Sequence, residues 1–159
     1  MMAGIGFDAR VVSRVSPTLK RAFGRTAYIV ESLREIARLK PMRFTLTLDG
    51  VPYQAASAVI ANGRYYGGKM VCARDARLTE PVFQVCLFLR DGRWNALRYA
   101  TALCLGVLHR LSDVKIVPAR RVVIDGPAGE PVQADGDIVA RLPVTIELEE
   151  STLSLIVPA

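Results

Sequence analysis

The stretch "MRFTLTLDG", residues 42 to 50, decides the kind of fold that this chain can adopt. Phe44, Leu46 and Leu48 alternate with polar residues, which is the two-residue period of a strand with one buried face. Asp49-Gly50 then supplies the dipeptide that most strongly favours a tight hairpin turn. The stretch therefore predicts an antiparallel hairpin, whose second strand we expect within residues 53 to 61.

Similar patterns extend over most of the chain. The nearly continuous apolar run at residues 82 to 89 is typical of a strand covered on both faces, and short strands separated by turns follow from residue 114. Two helices are predicted, one at 17 to 39 after an N-capping Ser16, and one at 94 to 111. The apolar stripe of the second helix comprises Trp94, Leu97, Thr101, Cys104, Leu108 and Leu111, widened by Ala100, Leu103 and Val107.

These elements predict an α+β fold, a mostly antiparallel two-layer β-sandwich with two helices. Residues 43 to 89 and 114 to 157 would form the sheets, with the helices outside them or at one end. The chain has 159 residues, of which 51% are hydrophobic and 23% charged, as expected for a single domain spanning 1 to 159.

Composition also narrows the location and the partners. No apolar run approaches the roughly 20 residues of a membrane span, and the first residues do not resemble a signal peptide, so we expect a cytoplasmic protein. The net charge of +6 favours an anionic partner such as nucleotide phosphate or a lipid headgroup, which includes contact with a membrane surface. The basic clusters lack the density of a nucleic-acid arm, so no nucleic-acid partner is expected.

The stretch "VQADGDIVARLPVTI", residues 132 to 146, places Asp135 and Asp137 on either side of a glycine between two strand-like segments. Two neighbouring carboxylates suit a metal, a ribose or a hydroxyl proton. The alternative is an ordinary hairpin corner, because aspartate is a common turn residue. General hydrolase, metalloprotease, Walker and Rossmann motifs are absent from the sequence, so any chemistry must come from such acidic turns.

Six segments in a fixed order then resemble the C-terminal half of the diacylglycerol kinase catalytic family, the bacterial lipid kinases related to sphingosine kinases and more distantly to NAD kinases. They are MAGIGFDARVV, KRAFGRTAY, VIANGRYYGGKM, CARDARLTEPVFQV, PVQADGDIV and LSLIVP. The resemblance implies a β-sandwich domain that normally follows a nucleotide-binding domain carrying Gly-Gly-Asp-Gly-Thr. We therefore expect a separated C-terminal domain that lacks its N-terminal partner.

The resemblance also implies a site. The family's Asp-Gly-Glu turn falls on Asp135, Gly136 and Asp137, where the final aspartate is one methylene shorter than the family's glutamate. Asp137 or Asp135 would act catalytically, by deprotonating or orienting the lipid hydroxyl. Asp135, Gly136 and Asp137 would also bind the nucleotide together with Asn62, which begins an Asn-Gly loop facing the same cleft.

A structural magnesium is implied near residues 73 to 81. Bacterial members of the family hold the ion through an aspartate and main-chain oxygens, and here Glu80 stands in the place of that aspartate. The expected ligands are Glu80 and the main-chain oxygens of Arg77 and Val82. This chain departs from the family pattern at Arg74, which replaces a proline, and at Pro81, which replaces a glycine.

The resemblance thus implies the substrate-side domain of an ATP-dependent lipid kinase, with ATP and Mg²⁺ used by the complete enzyme and no activity expected from this domain alone. Two other functions stay open. One is a stand-alone lipid-binding module without catalysis, and the other is a kinase for a different hydroxylated acceptor, including the NAD kinase direction.

Overall fold

The structure, a computed structural model, describes residues 1–14, 34, 36–38, 41–66 and 68–149. Most of the predicted helix at 17 to 39, and the end of the predicted sheet region beyond 149, lie outside the described residues. The strands are β1 (Met2–Ile5), β2 (Phe44–Leu48), β3 (Val51–Ala55), β4 (Ser57–Ala61), β5 (Tyr65–Tyr66), β6 (Met70–Val71), β7 (Phe83–Phe88), β8 (Val114–Ala119), β9 (Arg121–Asp125), β10 (Pro131–Ala134), β11 (Asp137–Arg141) and β12 (Val144–Glu147). Two helices have both ends within the described residues, α1 (Phe7–Arg14) and α2 (Arg93–Cys104), and α2 is followed by a 3₁₀ turn at Leu108–Arg110. Residues 34 and 36–38, within the first predicted helix, are helical as well.

Two antiparallel sheets form the body of the domain. The larger has the order β11-β10-β1-β4-β7-β8, and the smaller has the order β12-β9-β2-β3. The predicted hairpin is present, with Leu48 paired to Val51 across Asp49-Gly50. The two-layer antiparallel sandwich predicted from the sequence is therefore confirmed.

The prediction missed β1 and α1. β1 lies in the middle of the larger sheet, where Ala3 pairs with Ile60 of β4 on one side and Ala134 of β10 on the other. Its sequence, Met-Ala-Gly-Ile, is short and contains a single β-branched residue, so neither propensity nor alternation indicates a strand. Pairing on both sides stabilises it instead.

The main core fills the space between the sheets. Every member is almost fully buried, and each fully buried large apolar side chain stabilises the fold by about 1.5–3 kcal/mol. The largest members are Ile5, Ile60, Val85, Leu87 and Val132 from the larger sheet and Phe44, Leu46, Val122 and Ile124 from the smaller.

A second core covers the opposite face of the larger sheet. Tyr99 and Ala102 of α2 pack there against Val59, Cys86 and Phe88. None of the described helices is sufficiently long and apolar to cross a bilayer.

The predicted apolar stripe of the second helix is only partly buried: Leu108 belongs to the second core, and Leu103, Val107 and Leu111 pack against it. Trp94 is 78% exposed, and Leu97, Thr101 and Cys104 are exposed as well, while the helix ends at Cys104 rather than near 111. The face that packs on the sheet is set by Tyr99, whose ring lies 5.0 Å from that of Phe88 and whose hydroxyl donates to Asp113 Oδ2 at 2.8 Å. The pattern was misleading because a tyrosine with a buried polar partner takes the place of an aliphatic residue.

Candidate functional site

The acidic turn at Asp135 and Gly136 connects β10 to β11. Both residues have positive φ, 47° and 92°, as a type I′ hairpin requires. Asp135 also accepts a hydrogen bond at Oδ1 from the Met2 N–H at 2.9 Å, and donates its own N–H to the Met2 carbonyl at 3.1 Å. Asp135 and Asp137 are both exposed, so the structure places the two candidate catalytic carboxylates on the surface.

Asn62 lies near this turn because of the sheet register. β4 and β10 flank β1, so the residues that follow them emerge at the same end of the sheet. The Asn62 N–H donates to the Met1 carbonyl at 3.1 Å, next to the Met2 residue that holds Asp135. The structure therefore brings Asn62 and the Asp135 turn together, and their role in nucleotide binding stays a prediction.

A polar cluster behind the turn was not predicted from the sequence. Asp8 of α1 accepts hydrogen bonds from the Tyr66 hydroxyl and, at 2.6 Å, from Gln133 Nε2. Gln133 Oε1 in turn accepts the Gly136 N–H at 2.9 Å, so the cluster is hydrogen-bonded directly to the acidic turn. The available signal was Gln133 itself, a polar residue at a buried strand position beside Val132.

Burial raises the pKa of the Asp8 carboxyl, although the hydrogen bonds from Tyr66 and Gln133 act in the opposite direction. Gly4 makes room for this arrangement. A Cβ at Gly4 would collide with Asp8 Oδ2 and lie 2.8 Å from Gln133 Nε2. Glycine at this position therefore allows both side chains to pack over β1.

An ion pair fixes the helix that carries Asp8. Arg10 Nε and Nη2 donate to the two carboxylate oxygens of Glu130 at 3.0 and 2.8 Å, and both side chains are less than one-fifth exposed. A two-point Arg–carboxylate contact defines orientation as well as distance. Since Glu130 directly precedes β10, the pair holds α1 against the hairpin that carries the acidic turn.

A cavity of about 970 Å³ extends from this polar cluster. It lies between α1, α2 and the larger sheet, and Asp8, Tyr66, Gln133, Asp135 and Gly136 line its polar part. The rest of its described lining is mostly apolar, including Phe7, Val11, Val12, Val59, Phe88, Leu97, Ala100 and Leu103. The site therefore combines a mostly apolar cavity with a carboxylate-containing cluster that adjoins the candidate catalytic turn.

Glu80 lies in the loop before β7. Gln84 of that strand pairs with Ala61, so the loop belongs to the same end of the sheet as Asn62. The Glu80 side chain is 46% exposed, with Oε1 3.7 Å from Arg77 Nε, and the Arg77 carbonyl accepts the Glu80 N–H at 3.1 Å. The described residues contain no cluster of three or more metal-ligating side chains. A cation would have to displace the Arg77 guanidinium from Glu80, so these residues fit a magnesium site poorly, and that site stays a prediction.

Residues 2–157 match the family model described as the YegS C-terminal NAD kinase beta sandwich-like domain, and the chain belongs to this family. It is 30% identical over 160 residues to a diacylglycerol kinase of Mycobacterium tuberculosis (strain ATCC 25618 / H37Rv), covering 99% of this chain and 51% of that protein. It is also 33% identical over 98 residues to the "Probable lipid kinase YegS-like" of Enterobacter sp. (strain 638), covering 60% of this chain and 33% of that protein.

Solved structures agree with this assignment at the level of the fold. A crystal structure of a diacylglycerol kinase from Bacillus anthracis str. Sterne superposes with a TM-score of 0.64 at 20% sequence identity, covering 92% of this chain and 48% of that one. The chain thus spans about half the length of the Mycobacterium tuberculosis and Bacillus anthracis proteins.

Proposed function

We propose that this chain is the substrate-side domain of an ATP-dependent lipid kinase that phosphorylates a diacylglycerol-like hydroxyl. The observation that carries the proposal is the continuity between the apolar cavity, the Asp8 cluster and the Asp135 turn. Ligand cavities commonly enclose roughly 300–1,000 Å³, with mostly apolar walls and a few polar groups that orient the ligand. A molecule with acyl chains and one hydroxyl-bearing end matches this distribution of side chains.

Within the cavity, the polar cluster would orient the lipid. The Asp8 carboxylate can accept a hydrogen bond from a lipid hydroxyl, while Tyr66 and Gln133 hold that carboxylate in place. Acyl chains would lie against α1 and α2, where the lining is apolar. This orientation directs the hydroxyl toward the end of the cavity that Asp135 and Gly136 form.

At that end, Asp137 or Asp135 would orient the hydroxyl and accept its proton. ATP, when bound, would supply its γ-phosphoryl group to that oxygen and leave as ADP, with Mg²⁺ neutralising the phosphate charge. Asn62 and the backbone of the Asp135 turn would face the nucleotide, which a separate nucleotide-binding domain would hold. Because the turn is exposed here, the cleft needs that second domain as its other wall, and we expect no turnover from this chain alone.

Location follows from the substrates. ATP is a cytoplasmic nucleotide and a diacylglycerol-like lipid resides in a bilayer, so we propose a cytoplasmic protein that works at the membrane surface.

The test is phosphoryl transfer from radiolabelled ATP to diacylglycerol, by a protein in which this chain follows a nucleotide-binding domain of the same family. We expect Asp137→Asn to lower turnover roughly a hundredfold, the usual scale for losing a positioned general base, with an unchanged melting temperature. Asp125→Asn is the matched control, because Asp125 is an exposed carboxylate on the smaller sheet.

Unchanged turnover in both Asp137→Asn and Asp135→Asn would show that this corner is only a turn. Saturable lipid binding without any transfer in the two-domain protein would instead support the stand-alone lipid-binding module. Transfer to a soluble hydroxylated acceptor, and none to diacylglycerol, would support the third function considered from the sequence.

A further inference from the structure

The outward face of α2 carries large apolar side chains that are exposed among the described residues. Trp94 is 78% exposed, Leu97 is 40% exposed and Leu105, at the end of the helix, is 70% exposed. Residues 94, 98, 101 and 105 follow the three- and four-residue spacing of one helix face, with Leu97 beside it. We propose that this face, defined by Trp94, Leu97 and Leu105, docks onto an anionic lipid bilayer.

The charge around the face matches that partner. Between Asp91 and Asp113 the sequence contains no acidic residue, while Arg93 and Arg110 are both exposed. Helices that lie in the membrane interface combine exposed Trp and Leu with Arg or Lys nearby, and anionic headgroups attract such cations. A second copy of this chain would bring the same arginines against each other, which disfavours self-association through this face.

The face is also continuous with the cavity. Leu97 belongs to both, since it is exposed on α2 and also lines the cavity with Ala100 and Leu103. Docking this face would place the adjoining cavity wall against the hydrocarbon boundary of the bilayer. A lipid would then pass from bilayer to cavity along apolar surface. The inference in this respect rests on the proposed lipid substrate and extends it to the route by which the lipid arrives.

Rigid anchoring makes the face a fixed element. Asp113 accepts hydrogen bonds from Arg98 and from the Tyr99 hydroxyl, and Tyr99 packs on Phe88. The buried side of α2 is therefore tied to the larger sheet while Trp94 and Leu105 project outward. A preformed apolar face loses less conformational entropy on docking than a segment that must first fold.

The test uses Trp94 as its own reporter, because it is the only tryptophan in the chain. The 159-residue chain is titrated with phosphatidylcholine vesicles that contain or lack phosphatidylglycerol, and Trp94 fluorescence is recorded. We expect a blue shift with the anionic vesicles, quenching by lipids brominated on the acyl chains, and a weaker response at high salt.

Two variants locate the contact. Leu105→Glu should weaken binding to the anionic vesicles by about tenfold or more, because it places a carboxylate at the interface. Val51→Glu is the matched control and should bind as the wild type does, since Val51 is 53% exposed on the smaller sheet, away from α2.

Absence of a blue shift, equal binding to neutral vesicles, or equal weakening by both variants would each overturn the proposal. A shift that depends on protein concentration without vesicles would assign the face to self-association and overturn it as well. A kinase assay of the two-domain protein with a short-chain, water-soluble diacylglycerol separates the proposed kinase function from the proposed docking face, because this substrate requires no contact with a bilayer. If that activity is present while vesicle binding is absent, the docking face alone is wrong.

Discussion

Two carboxylates in this domain, Asp8 and Asp49, have pKa values shifted in opposite directions. In Asp8 the shift means that ionisation lowers the stability of the fold. Burial raises the pKa of Asp8, so the folded state holds its proton more tightly than the unfolded chain. The associated stability is complete below the unfolded pKa and is lost as the pH rises through the higher folded pKa. Ionising Asp8 therefore costs stability, as expected for a carboxyl group that is retained for binding.

Asp8→Asn should remove that cost. We expect the melting temperature of Asp8→Asn to equal or exceed that of the wild type at pH 7, because the amide stays near Tyr66 and Gln133 without a charge. The difference between the two proteins should disappear in acid, where Asp8 is protonated. In the two-domain enzyme the same variant should lower turnover. A variant that is less stable at pH 7 and fully active would contradict the assigned role.

Asp49 shows the opposite behaviour. Its carboxylate accepts the N–H groups of Arg120 and Arg121, at 2.8 Å for the shortest contact, and these bonds hold the pKa of Asp49 below its ordinary value. Stability from such a group is present above the unfolded pKa and is lost as the pH falls through the folded one. Residue 120 connects β8 of the larger sheet to β9 of the smaller sheet. The hydrogen bonds of Asp49 therefore stabilise the connection between the two sheets.

Asp49→Asn tests this contribution while preserving a good type I′ turn residue. We expect a lower melting temperature than wild type at pH 7, and a difference that shrinks below the ordinary aspartate pKa. Thermal denaturation followed by circular dichroism across that range measures both. A constant difference at every pH would mean that the carboxylate charge is irrelevant.

Among the secondary-structure elements, α2 is held by a buried hydrogen bond that can be removed without changing its apolar packing. The Tyr99 hydroxyl donates a hydrogen bond to Asp113. Burial, and to a smaller extent this hydrogen bond, raises the pKa of Tyr99 to about 12. Tyr99→Phe keeps the ring on Phe88 but removes this bond, so we expect a loss of about 1–2 kcal/mol in unfolding free energy. Tyr65→Phe, at an exposed tyrosine, should change it little. Chemical denaturation of both variants makes the comparison.

The loop that carries Glu80 is the element in which the predicted magnesium site can be tested. If the ion binds, Mg²⁺ should raise the melting temperature of the wild type and not that of Glu80→Ala. Asp75→Ala, an exposed carboxylate in the same region, is the control and should keep the response. No effect of Mg²⁺ on the wild type would agree with the pairing of Glu80 and Arg77 and would contradict the site.

The elements that sequence predicted well are those whose signals are local. The hairpin was predictable because its positive-φ turn requires a dipeptide such as Asp49-Gly50. Strand β7 was predictable because a strand covered on both faces has a nearly continuous apolar sequence. β1 could not be predicted in this way, because its pairing comes from distant strands. The face of α2 was misjudged because Tyr99 and Ala102, which the predicted stripe did not include, form the buried side of the helix.

For the molecule as a whole, the candidate site was only partly predictable. The Asp135 turn and Asn62 were singled out, and the sheet register brings them to the same end. Asp8 and Tyr66 were not, since they meet Gln133 from positions far apart in the chain. The cavity was equally invisible, because it is formed by the spacing of α1 and α2 on the larger sheet, and no sequence pattern encodes that spacing.

The central position of β1 has a consequence for how the domain assembles. Without β1, the larger sheet is two separate pieces, β10 with β11 and β4 with β7 and β8. These two pieces can join only after β1 pairs with the segment near residue 60 and with the hairpin near residue 134. Because these pairings close long loops, we expect the larger sheet to fold slowly. Until β1 is in place, β4 and β10 each keep an unpaired edge. Such an edge can pair with a strand of another chain, so the domain is most prone to aggregation at this stage of folding.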